Sequence, residues 1–529
     1  MQRKRDCEML YKNKLYKNPI LPGFNPDPSI CKVDEDYYIV TSSFEFYPGV
    51  PIYHSRNLVN WELIGYCLTR KSQLDLENTQ SSGGIFAPTL YHHNDFFFLA
   101  TTDVNKGNFI VYAENIYGPW SDPVWIDQRG IDPSLLFDED GTVYFLSADN
   151  DGEVCSILMC TINIFTGEKL SKTHIINSGC GGRYPEGPHL YKIFGKYYLM
   201  LAEGGTEYGH METIQRADSP YGPYEKCPHN PVLTHRNDMK GEICGVGHAD
   251  IVEDGNGNWW AVCLGFRPSS PKNELLMLHH LGRETYLCPI KWDERQWPVM
   301  GDNGKLSLYM TGDLPGLPEN NIKREYLDSF RTEQLDIHYN FLRNPIMENY
   351  RIDAKAGRLV LQGTEITIND GRNPTWIGIR QPEFKIDFSV TVGIEELKHN
   401  GRIGITAFYN ESYHYDMYLQ KRGKKLKLYL EKHVHDMFSI THVKEIKETE
   451  SGEIRLAIKS DKKWYRFLYT DKAGGMFELG KGLVAGLATE GTRTMTFTGT
   501  YLAMFAERGR GYFKELNVKV SDADKEDDR

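Results

Sequence analysis

The chain has 529 residues, 40% hydrophobic and 25% charged, which marks a globular protein too long for a single core. Lys and Arg number 61 against 72 Asp and Glu, a net charge of −11, so neither nucleic acid nor an anionic membrane is an expected partner. All ten cysteines lie between Cys7 and Cys288 without a CxxC pair, and the charged N-terminus has no apolar run behind it; a soluble, cytoplasmic chain with reduced thiols is expected.

The first 300 residues or so carry a repeat. A polar turn precedes a short aromatic-aliphatic run five times, the runs beginning at Tyr37, Phe96, Val143, Tyr197 and Trp259. A second echo links Ala113 to Trp120 (AENIYGPW) with Ala217 to Tyr224 (ADSPYGPY). Five units of roughly 50 to 60 residues, each made of turn and strand signals, predict the blades of a five-bladed β-propeller over residues 18–315. Shortly before each run stands a second segment: Asp27-Pro28-Ser29-Ile30, Ala87-Pro88-Thr89-Leu90, Asp132-Pro133-Ser134-Leu135, Glu186-Gly187-Pro188-His189-Leu190 and His248-Ala249-Asp250-Ile251. Equivalent positions on innermost strands surround one channel, so Asp27, Asp132, Glu186 and His248 are expected to converge.

Taken singly, Asp-Pro is a turn dipeptide, Glu186 a loop acid and His248 a hydrogen-bonded core histidine. The three acids at one phase of three blades are what gives them a functional reading. Ala87 shows that the blade itself needs no acid there. No P-loop, HExxH or GxSxG occurs. Clustered carboxyls beside aromatic platforms suit glycoside hydrolysis, in which one acid protonates the leaving oxygen while another carboxylate activates water or attacks carbon.

At these residues the chain resembles glycoside hydrolase family 43, in particular its two-domain β-xylosidase and α-L-arabinofuranosidase members. The motifs are NPDPS (Asn25 to Ser29), IDPSL (Ile131 to Leu135), YPEGPHLYK (Tyr184 to Lys192), GHADIVED (Gly247 to Asp254) and HLGRETYL (His280 to Leu287). The resemblance implies an inverting mechanism with Asp27 as general base, Glu186 as general acid and Asp132 as the carboxylate that orients the acid and raises its pKa. Base and acid carboxyls in such a mechanism stand ~6.5–9.5 Å apart. It further implies that Arg283, Thr206, Phe44 and Phe86 contact sugar, and that His248 joins the catalytic water network or ligates a central calcium. No other cofactor is implied. The expected partner is an oligosaccharide substrate, and the sequence leaves the choice between monomer and homo-oligomer open.

Four departures fall in segments the resemblance assigns to the sugar pocket. Phe86 stands in GGIFAP where many β-xylosidases of the family have tryptophan, and Ile131 replaces a frequent phenylalanine. Ser147 to Gly152 reads SADNDG, and Glu207 stands in EGGTEYGH in place of a glycine. They favour arabinofuranosidase activity, alone or with xylosidase activity.

Past the Pro/Gly/Asn segment Gly312 to Asn321, strand signals resume with Lys and Arg on alternate positions, as in Leu426 to Leu430 and Ile454 to Ile458. Residues 325–519 are read as a concanavalin-like β-sandwich. The resemblance implies that it lends a loop to the active-site mouth, with Phe497 the candidate aromatic. The tail Ser521 to Arg529 is expected to fray. The competing readings are a non-catalytic carbohydrate-binding propeller, which needs no protonated acid beside a base, and a structural propeller, which needs no acid cluster.

Overall fold

Each of the five aromatic runs forms the second strand of an antiparallel sheet, of five strands in the fourth blade and four in the others, and each segment preceding a run forms or leads into the first strand. A computed structural model describes residues 14–150, 155–238, 241–269, 277–318, 325–446, 452–470, 474–492 and 495–521. The end of the linker and the tail beyond Ser521 lie outside them.

The first strands are Ser29–Val33, Thr89–His93, Ile131–Phe137, Glu186–Ile193 and Cys244–Glu253. They touch in a closed ring, blade five returning to blade one. Behind them run the aromatic strands Asp36–Val40, Phe96–Asp103, Val143–Asp149, Lys196–Glu203 and Trp259–Phe266. Their side chains alternate between the two faces of the sheet, so Tyr198, Met200, Trp260 and Val262 pack in one interblade core while Leu199 and Leu201 pack in another. Blade four carries one extra short strand, Leu233–Thr234, paired with its third strand Met211–Ala217.

The ends of the propeller are joined outside the blades. Lys14–Lys17 pairs antiparallel with Tyr309–Gly312, and Asn18 exchanges hydrogen bonds with the Leu287 backbone at 3.0 Å in both directions. Every blade is therefore built from consecutive strands.

The C-terminal unit is a β-sandwich woven around two long strands, Lys385–Asn410 and Tyr501–Ser521. Both pass from one layer to the other through register shifts between Ile394 and Glu396 and between Leu397 and Arg402. One core of apolar side chains, including Phe388, Ile405, Met417, Leu456 and Phe467, fills the sandwich.

A separate cluster joins the two units: Phe24, Phe44 and Phe46 of the propeller pack with Leu342, Trp376, Phe408 and Tyr501 of the sandwich, the Phe46 and Tyr501 rings stacking at 4.2 Å. Phe86 and Phe497 lie at its margin.

Candidate active site

The inner strands of blades three, four and five each carry a register shift, between Ile131 and Ser134, Glu186 and His189, and Gly247 and Asp250, the last preceded by another between Cys244 and Gly247. Within each shift one residue takes a left-handed backbone: Asp132 at φ 53°, Gly187 at φ 55° and His248 at φ 53°; Asp27 at the entry to blade one has φ 53° as well. A bulge of this kind re-aims a side chain, and a left-handed conformation in a non-glycine residue is the sort of strain found at functional sites.

This geometry corrects one expectation. The three acids do not share one phase. Asp27, Asp132 and His248 occupy the left-handed position, but in blade four that position is Gly187, and Glu186 stands one residue earlier, level with Ile131 and Gly247. Gly187 is suited to the place because a Cβ there would lie 2.9 Å from His248 Nε2.

Asp27 is held on all sides. Arg283 Nη1 donates to its Oδ1 at 2.8 Å, Nη2 lies 3.4 Å from Oδ2, and Ser42 Oγ donates to Oδ2 at 2.6 Å. His248 Nδ1 stands 3.8 Å from Oδ1. Asp132 accepts the Gly187 N–H at 3.2 Å. Burial, and then the charge of Asp27, push Asp132 up to about 7.

Glu186 differs from both. No described residue donates a hydrogen bond to its carboxyl; the nearest basic atom is His210 Nε2 at 3.9 Å. Burial first, then Asp132 and Asp27, hold its pKa well above the ordinary glutamate value, with Arg283 opposing. Burial and the two neighbouring acids therefore favour the protonated form of Glu186. Burial also pushes the His248 imidazole down to about 4 and His210 to about 3, so both rings are neutral near pH 7.

Arg283 ties the site together. Besides Asp27 it donates to Thr206 Oγ1 at 2.9 Å and to the Phe497 carbonyl at 3.3 Å, and its guanidinium lies 5.7 Å from the Phe44 ring and 5.4 Å from the Phe497 ring. Phe44, Phe86 and Phe497 form one aromatic wall: Phe44 and Phe497 stack at 5.7 Å, and Phe86 lies 5.2 Å from Phe44 and 5.8 Å from Phe497. The sandwich thus supplies part of the wall. The Phe497 N–H donates to Ser82 Oγ at 3.0 Å, and the Thr500 N–H to the His280 carbonyl at 2.8 Å.

Of the four departures, Phe86 is on this wall. Glu207 is exposed in a turn, and Ser147 is buried and bonded to Gln128 and to the Arg129 carbonyl. Ile131 packs at the edge of an interblade core.

Two further residues were not singled out from the sequence. His210 lies within EGGTEYGH, but on the approach to a third strand, where the inner-strand repeat offers no guide. Glu45, the neighbour of Phe44, is wholly buried behind the wall: its side chain accepts from Ser81 Oγ and the Ser82 N–H, both at 3.1 Å, and its carbonyl accepts the Arg343 N–H of the sandwich at 2.9 Å. Burial, and then Glu411, push Glu45 up to about 7.

His248, the residue expected to join the water network or a calcium site, has Asp27, His189 and Asp250 among its titratable neighbours. His248 has His189 as a like-charged neighbour when protonated, and Asp250 is already engaged by Ser29 Oγ, the Ile30 and Ile251 N–H groups and Tyr191 OH. Among the described residues no three His, Cys, Asp or Glu side chains gather as a metal set.

Comparison with known proteins bears on both units. The family model for glycosyl hydrolases family 43 matches residues 16–298, and that for the beta xylosidase C-terminal concanavalin A-like domain matches residues 327–515. A non-reducing end alpha-L-arabinofuranosidase of Bacteroides ovatus, BoGH43B, is 39% identical over 524 residues, which covers 97% of this chain and 94% of the relative. A xylosidase/arabinosidase of Butyrivibrio fibrisolvens is 38% identical, with 77% of this chain and 80% of the relative covered. The crystal structure of a xylan beta-1,4-xylosidase from Bacillus halodurans superposes with a TM-score of 0.89 at 30% identity, covering 95% of this chain and all of the other.

Proposed function

The chain belongs to glycosyl hydrolases family 43, and from that premise we propose that it is an inverting exo-glycosidase. It would release single pentoses, α-L-arabinofuranose and β-D-xylose, from the non-reducing ends or branches of xylan-derived oligosaccharides. The observation that carries this reading is the pairing of a largely buried glutamate to which no described residue donates a hydrogen bond, Glu186, whose surroundings favour its protonated form, with an aspartate held in an ion pair, Asp27. A purely sugar-binding propeller has no use for such an asymmetry.

In this mechanism Asp27 takes a proton from the attacking water while the new C–O bond forms at the anomeric carbon. Glu186 gives its proton to the departing glycosidic oxygen as the old C–O bond breaks. Turnover leaves the proton on Asp27 and the charge on Glu186, and exchange with solvent restores both. Asp132 acts on Glu186 as a nearby negative charge, and by receiving the Gly187 N–H it fixes the backbone that carries the acid. Arg283 orients Asp27 and, with Thr206 and the Phe44, Phe86 and Phe497 rings, bounds the place of the terminal sugar. These residues account for the chemistry without a cofactor.

Phe86 on the wall, and the likeness to an arabinofuranosidase over nearly the full chain, favour arabinofuranose as the preferred sugar. The nine described cysteines are all free, which supports a reducing compartment such as the cytoplasm as the place of action. The exposed strand Met437–Ile446, with Met437, Phe438, Ile440 and Val443 turned to solvent, supports a homo-oligomer. Sedimentation at micromolar protein is expected to show more than a monomer.

The test is release of aryl α-L-arabinofuranoside and aryl β-D-xyloside side by side. Both are expected to be cleaved, the arabinofuranoside faster, with the first-formed sugar of inverted anomeric configuration by NMR. Failure to cleave either, or a product of retained configuration, overturns the reading.

A further inference from the structure

On the reading that Glu186 is the proton donor, we propose that His210 is its positioning residue. The bare Nε2 of His210 receives the Glu186 O–H between turnovers, and so sets the resting orientation of the acid and favours its protonated form.

The tautomer of His210 follows from its surroundings. Nδ1 lies 3.1 Å from the Gly245 carbonyl, which only accepts, so Nδ1 carries the hydrogen. The ring is wholly buried and neutral, which leaves Nε2 as a lone pair, and no described group donates to it. A buried acceptor without a donor is costly unless a partner arrives.

His210 cannot move to find that partner. Its N–H donates to the Glu207 carbonyl at 3.1 Å and its carbonyl accepts Thr234 Oγ1 at 2.8 Å. The imidazole is wedged against the backbone of Gly247, where a Cβ would lie 2.7 Å from Cε1. Glu186 is the group with freedom. Its Oε1 stands 3.9 Å from Nε2, and a shift of about 1 Å brings the two to hydrogen-bond distance.

Other charged groups face this pair from every side. Asp132 of blade three, Asp27 of blade one, Arg283 of blade five and Glu212 of blade four act on Glu186; His248, Arg283 and Asp27 act on His210. Of the carboxyls among them, Asp27 is engaged with Arg283 and Ser42, Asp132 with the Gly187 N–H, and Glu212 through Oε2 with the Ala249 N–H, while Glu212 Oε1 is buried without a hydrogen-bond partner among the described residues. His210 is the histidine of the set whose ring nitrogen lies within 4.0 Å of the Glu186 carboxyl. Once Glu186 has given its proton to the leaving group, its anion faces a lone pair and is turned away toward solvent, where it regains a proton.

The experiment is the pH profile of kcat/KM on an aryl pentoside for the native enzyme, His210→Phe and His210→Gln. In His210→Phe the basic limb should fall by about one pH unit, the scale of one lost hydrogen bond to the protonated acid, while the acid limb stays. The loss should be greatest on poor leaving groups. His210→Gln, whose amide oxygen can stand where Nε2 stood, should restore most of the limb. Unmoved limbs with a uniform fall in rate overturn the proposal and leave the glycosidase reading intact, whereas an inactive native enzyme counts against the latter. A readout without turnover uses [15N]histidine NMR. The His210 Nε2 resonance of the native protein should sit upfield of a free imine nitrogen and return toward it in Glu186→Ala. An identical resonance in both proteins refutes the proposal, whether or not His210→Phe folds.

Discussion

The two walls of the channel carry the same functional group in opposite settings. Asp27 meets a guanidinium and a hydroxyl, and both its oxygens are occupied. Glu186 meets two acids and a neutral imidazole, and nothing described donates to it. Side-chain chemistry alone would make these carboxyls alike; their neighbours make one an anchored acceptor and the other a proton carrier. The difference rests on backbone detail. The bulge that turns Asp132 into the channel occurs again in blade four, but there Gly187 takes the strained place and Glu186 keeps an ordinary backbone and a less constrained side chain.

The sharpest way to break this contrast is to remove each acid in turn. Asp27→Asn should lower kcat/KM ~10³–10⁴-fold whatever the leaving group, because water must always be deprotonated. Glu186→Gln should cost as much on alkyl or sugar leaving groups but only about tenfold on nitrophenyl glycosides, which need little protonation. Equal losses across leaving groups would remove the distinction between the two walls. Next in size, Arg283→Lys keeps the charge but forfeits the fork that reaches Asp27, Thr206 and the Phe497 carbonyl together; a fall of about 100-fold in kcat/KM is expected.

A subtler test leaves both acids in place. Asp132→Asn removes a charge that helps keep the proton on Glu186, so the basic limb of the pH profile should shift to lower pH, with rates near neutrality falling about tenfold. A shift in the other direction would contradict the assignment. The smallest effect concerns Glu45 behind the wall. Its folded pKa is raised to about 7, so its contribution to stability is complete below about pH 4.5 and is lost as pH rises through 7. Glu45→Gln should flatten the pH dependence of Tm across that window by a few degrees, measured by calorimetry.

Much of this was readable in the chain. The aromatic runs from Tyr37 to Trp259 became the second strands of their blades, and the segments with Asp27, Asp132, Glu186 and His248 line the channel, because a repeated strand pattern fixes angular position in a propeller. Arg283, Thr206, Phe44, Phe86 and Phe497 meet at one wall. The one-residue offset of Glu186 was not readable: Asp-Pro, Glu-Gly-Pro and His-Ala look like equivalent turns until the left-handed residue of each is known. His210 escaped because it comes from a third strand, and Glu45 because its partner Arg343 is some 300 residues away on another unit. Periodicity carries no information about either.

The cluster that joins propeller and sandwich runs without a break into the wall that would face the sugar: Phe44 touches Phe24 on one side and Phe497 on the other. Recognition and cohesion are thus drawn from the same rings. A substitution that widens the pocket for a different pentose also loosens the joint between the units, and one that strengthens the joint narrows the pocket. Variation in sugar preference among chains with this architecture is therefore constrained by stability, and compensating changes are to be sought at the seam, around Trp376, Phe408 and Tyr501, far from the reacting atoms.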